Sequence, residues 1–129
     1  MRFLSIVKSA ENQGPPPQAL MDAMAKLTED SLRDGSLVQT GGLSASSTGA
    51  RLRVSGGKLT VTDGPFAEAK EVIGGYWLIQ VKSKAEAVQW ASRCPAGDGD
   101  VIEVRQVQEM SDFPPDVQKA AGATRPGSR

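Results

Sequence analysis

Residues 76–81 read YWLIQV, and an extended chain here puts Trp77, Ile79 and Val81 on one side and Tyr76 and Leu78 on the other. Both sides are apolar, so the strand belongs inside a sheet covered front and back. Residues 2–8, RFLSIVK, repeat the pattern, with Phe3 and Val7 on one face and Leu4 and Ile6 on the other. A chain of 129 residues is one domain. What covers the second face of its sheet decides how that domain assembles.

Between these strands, Leu20, Met24 and Leu27 recur at helical spacing with Met21 and Leu32 beside them, after the stiff run Pro15, Pro16 and Pro17. The spacing predicts a helix from 17 to 33, closed by Asp34-Gly35, with both methionines as core packing. A short strand over 36–40 follows, then a Gly/Ser/Thr-rich stretch, 41–49, expected to be a mobile loop. In RLRVSGGKLTVTD, residues 51–63, Leu52, Val54, Leu59 and Val61 alternate with polar neighbours around Gly56-Gly57, which spells a β-hairpin. Its polar face, Arg51, Arg53, Lys58 and Thr60, is expected to meet water.

Ser83-Lys84-Ala85-Glu86 has capping-box spacing and opens a helix expected to reach Arg93, with Ala87, Val88, Ala91 and Cys94 inward. Residues 101–107 alternate as a last strand. Residues 110–129, with Pro114-Pro115 and few large apolar side chains, read as a loosely ordered tail beyond a domain of residues 1–109.

This order is an α+β, ferredoxin-like β-α-β repeat with an inserted hairpin. Two helices cover one face of the sheet. The apolar residues left on the other would form a patch larger than soluble monomers tolerate, so a homodimer packed sheet to sheet, a dimeric α+β barrel, is the expected assembly. The competing arrangement folds the chain's own tail across that face.

Fifteen basic residues balance fifteen acidic ones, which leaves no field to attract nucleic acid or an anionic membrane. The apolar run from Phe3 to Val7 is too short for a signal peptide or a membrane span, so a cytoplasmic protein is expected. One cysteine, Cys94, and no histidine leave no disulfide and no cysteine- or histidine-based metal site; no cofactor is expected. Neither Gly41-Gly42 nor Gly56-Gly57 has the helix start and lysine of a phosphate loop.

The remaining chemistry lies around Asp63. Pro65 has no amide hydrogen, so the Asp63 carboxylate either reaches the amide of Phe66 and fixes the turn or stays free as a base or ligand anchor. Lys70, beside Glu68 and Glu71, is a candidate acid or nucleophile, or a member of an exposed charge run. Tyr76 can donate a proton or close a core hydrogen bond. Arg51 and Arg53 can clamp a carboxylate or phosphate, or belong to a solvated strand face. Candidate catalytic residues are thus Asp63, Lys70 and Tyr76, and candidate ligand-binding residues are Phe66, Glu68, Arg51 and Arg53. A thiolate at Cys94 is disfavoured at a helix C-terminus.

The stretch VTDGPFAEAKEVIGGYWLIQV, then KAEAVQWASRCPAG, then VIEVRQV, resembles the DGPF family of YCII-related proteins over residues 1–109. The resemblance implies a dimeric barrel with a ligand pocket between sheet and helices, in a family of mostly unassigned roles whose genes often neighbour those of extracytoplasmic-function sigma factors. It points to a small-molecule-binding homodimer, a sensor or accessory protein in signalling. The alternative is a cofactor-independent lyase, isomerase or monooxygenase-like enzyme acting on a phenolic or carboxylic metabolite. Distant relatives that dehydrochlorinate chlorinated hydroxyquinols use a histidine–aspartate pair; here the histidine's place falls near Met24, so that chemistry is not inherited.

Overall fold

The computed structural model describes residues 1–10, 16–66 and 72–124. In chain order the elements are β1 (Arg2–Ser9), α1 (Gln18–Asp34), β2 (Leu37–Gly42), β3 (Ala50–Ser55), β4 (Lys58–Asp63), β5 (Val72–Gln80), α2 (Lys84–Ala91), β6 (Val101–Gln106) and α3 (Pro115–Thr124). Strands β2, β5, β1 and β6 form an antiparallel sheet in that spatial order, and β3 and β4 form a separate hairpin. An antiparallel four-stranded sheet with helices and a separate hairpin is the α+β class expected from the strand pattern.

α1 and α2 begin, and α1 ends, where their sequences say they should, while α2 stops at Ala91, short of the Arg93 expected. Pro17 offers its carbonyl to the amides of Leu20 and Met21, and Gly35 closes α1 at φ 81°, a conformation glycine adopts without steric cost. Ser83 caps α2 by accepting the amide of Glu86 at 3.2 Å, and the Glu86 carboxylate reaches back to the amide of Lys82.

α1 packs on β2, and α2 on β1 and β6. Phe3, Leu27, Leu37, Trp77, Ile79, Ala87, Trp90 and Cys94 make the buried cluster between them and the sheet. Trp77 and Trp90 meet edge to face at 5.9 Å between centroids. The Trp90 indole N–H is shared by the hydroxyls of Ser31 and Ser36, which brings α1, α2 and the start of β2 onto one polar point inside an apolar core.

The opposite face is organised in cross-strand rows. Gly41, Tyr76, Ile6 and Glu103 form one, and Gln39, Leu78, Leu4 and Arg105 the next. Tyr76, Ile6, Leu78 and Leu4 thus make an apolar square between polar margins. All four are half-buried, and the buried cluster draws none of its members from this face.

Three expectations need correction. Val88 is 50% exposed, because α2 leaves a groove beside β6 instead of closing on it; Trp90 takes the inward place. Met21 is exposed and Met24 only half-buried, since α1 meets the sheet mainly through Leu27 and Ser31. The 41–49 stretch is not all loop: Gly41 and Gly42 extend β2, and Ser46–Thr48 form a 3₁₀ turn. The hairpin's polar face meets water as expected, and its apolar face is exposed as well. Beyond β6, Arg2 grips Glu109 through two N–H···O bonds of 2.9 Å, and α3 follows.

Candidate functional site

Between α1 and the end of the sheet where β2 and β5 carry their glycines lies a cavity of about 620 Å³. The glycines make it possible. Gly41, Gly42, Gly74 and Gly75 border it with backbone alone, and a Cβ at Gly75 would press on the Gly41 carbonyl at 3.0 Å. Glycine inside a strand marks such a close approach. Val7, Leu20, Met24 and Trp77 supply apolar wall.

The polar groups of the wall are biased toward acceptance. Thr40 donates its hydroxyl proton to the carbonyl of Tyr76 and Thr28 donates its own to the carbonyl of Met24, each at 2.9 Å. Both threonine oxygens keep lone pairs. Asp100 holds the Gly97 amide at 2.8 Å through one carboxylate oxygen, which leaves accepting capacity on the other. Ser9 and Tyr76 carry further hydroxyls, and no lysine or arginine lines the cavity among the described residues.

Of the residues singled out by sequence, Tyr76 borders this cavity, with its ring lying over Gly41. Arg51 and Phe66 come together elsewhere: the guanidinium sits 4.0 Å from the ring centroid in a smaller hollow with Leu43, Ser46 and Ile73. Asp63 is exposed at the end of β4 and does not line the cavity. Of the two uses open to Asp63, bonding to the Phe66 amide is not realised, because Ser46 Oγ takes that amide at 3.1 Å. Arg53 lies on the exposed hairpin. Lys70, Glu68 and Glu71 fall outside the described residues.

Ser46 therefore explains the DGPF turn. Its hydroxyl holds Phe66, its carbonyl fills the space beside Gly64, and the Gly64 amide bonds to Gly49. The signature is a clamp between two turns. Sequence reading missed Met24, Thr28, Thr40 and Asp100 as wall residues; the paired glycines 41–42 and 74–75, one pair at the end of β2 and the other within β5, were the signal available for them.

Cys94 is buried, and that burial pushes its thiol up to about 11, against a small opposing effect of the Ser5 hydroxyl 3.9 Å away. Among the described residues no group of three or more acidic, cysteine or histidine side chains is placed to hold a metal ion, and no helix is long and apolar enough to cross a membrane.

Residues 1–111 match the YCII-related domain. Over 42 residues the chain is 50% identical to an uncharacterized protein of Rhizobium meliloti (strain 1021), a match spanning 33% of this chain and 34% of that one.

Proposed function

The chain belongs to the YCII-related domain family, and on that premise we propose that it is a small-molecule-binding homodimer whose ligand is a compact apolar compound bearing a hydroxyl or amine donor. The observation that carries this reading is the α1–sheet cavity, about 620 Å³, within the size range of ligand sites. Its wall is apolar with a few accepting oxygens. A donor on the ligand would satisfy Thr28, Thr40 or Asp100, whereas a carboxylate would meet Asp100 with no described cation to offset it.

Pairing of two copies is supported by the square of Leu4, Ile6, Tyr76 and Leu78, which neither α1 nor α2 covers. A two-fold contact, sheet to sheet, would bury it twice. A sensing or accessory role accords with the cavity's chemistry: of the two described catalytic candidates, Asp63 and Tyr76, only Tyr76 borders it. The enzyme reading rests instead on Asp100, the one carboxylate among the described wall residues.

A thermal-shift series with phenols, amines and carboxylic acids tests the binding reading. Phenols or amines should raise the melting temperature and acids should not. Met24→Trp, which fills the cavity, should abolish the shift; a shift that survives it would move the ligand elsewhere. Turnover of a hit that is lost in Asp100→Asn would favour the enzyme.

A further inference from the structure

The hairpin of β3 and β4 stands away from the sheet: its two strands pack on each other far more than on any other element, and every residue from 52 to 63 is exposed. Its cross-strand pairs sort cleanly by face. Arg51 with Thr62 and Arg53 with Thr60 occupy one side, and Leu52 with Val61 and Val54 with Leu59 the other. That second side is the anomaly. Leu52 is 59% exposed, Val54 73%, Leu59 60% and Val61 58%.

We infer that this hairpin is an arm whose apolar face lies against a second copy of the chain. The inference rests on the homodimer reading and extends it to a segment outside the sheet. A two-stranded hairpin alone is marginally stable in water, so an ordered arm with a continuous apolar side needs a surface to rest on. Two-fold pairing supplies one to both arms at once, the partner's surface beside the sheet-to-sheet contact of Leu4, Ile6, Tyr76 and Leu78.

The areas agree with that occupant. Each arm presents on the order of 400 Å² of apolar side-chain surface, a size at which exposed patches mark interaction sites. Two arms and the surfaces they cover come to roughly 1,600 Å², the size of a standard stable interface. Charge does not oppose it. The chain's net charge is zero, and the arm's cations Arg51, Arg53 and Lys58 are on its other side, with Asp63 only at the open end of the apolar one.

The test replaces Leu52, Val54, Leu59 and Val61 together by threonine, which keeps strand propensity, and compares dimer dissociation with the unaltered chain by light scattering across a dilution series. Far-UV circular dichroism of the variant should be unchanged, because the four side chains are exposed. The expected result is dissociation at least about a hundredfold easier, since four apolar side chains lose their cover, with Arg53→Thr leaving it unaltered. If the unaltered chain is a dimer and the fourfold variant is equally tight, the arm is not at the interface while the dimer stands. If the unaltered chain is a monomer, the dimer reading fails and the arm's role with it.

Discussion

The carbonyl oxygen of Ser46 occupies the space that a side chain at Gly64 would need. The obstacle is backbone, held in place by the 3₁₀ turn of Ser46–Thr48, so it cannot swing aside as a flexible side chain would. Gly64→Ala should therefore cost about 1–3 kcal/mol, the usual range for forcing a methyl into filled space. Urea unfolding of the variant measures it.

The same clamp has a polar half. Ser46→Ala removes the acceptor for the Phe66 amide, a part-buried group that then turns to water. The expected loss is about 1 kcal/mol. Phe66→Leu leaves that bond in place but removes the ring beneath Arg51, at an expected cost of roughly 0.5–1 kcal/mol. Because both residues act on one turn, the double variant should lose less than the two single losses added together.

Trp90→Phe keeps most of the edge contact with Trp77 and removes one N–H. Ser31, fully buried, then has no donor directed at it, and the variant should be less stable by about 1–3 kcal/mol. Ser36→Ala leaves the indole bonded to Ser31 and should cost less than half as much, by the same denaturation measurement.

Burial raises the Cys94 thiol from its ordinary 9.0 to about 11. The folded state therefore holds the proton more tightly than the unfolded one, so Cys94 leaves stability undiminished below pH 9 and reduces it as pH climbs toward 11. Cys94→Ala should flatten that alkaline decline. Iodoacetamide at pH 8 should label the folded protein far more slowly than the urea-unfolded chain, which mass spectrometry of the intact chain would follow.

Periodicity made most elements legible, because burial of one stripe or one face leaves a rhythm in the residues. Gly56-Gly57 named its turn, and both glycines take positive φ, 57° and 79°. Rhythm says which face is apolar and not what it meets, which is why the hairpin's exposed side and the outward Val88 came only with the structure. The cavity was hidden for another reason. Its wall is made where glycine backbone, Thr40 from β2, Thr28 from α1 and Asp100 from the turn before β6 converge, and no short stretch of sequence contains more than a fragment of it. Asp63 was conspicuous as the first residue of a signature whose observed work is structural.

β1 lies in the middle of the sheet, bonded on one side to β5 and on the other to β6. Its Arg2 carbonyl takes the amide of Val107, so one edge of β1 is satisfied only once β5 is made and the other only once β6 has followed. The helices and the hairpin rest on local contacts, but the sheet closes only when the two ends of the domain meet, a loop closure that slows folding relative to a fold built from neighbouring segments.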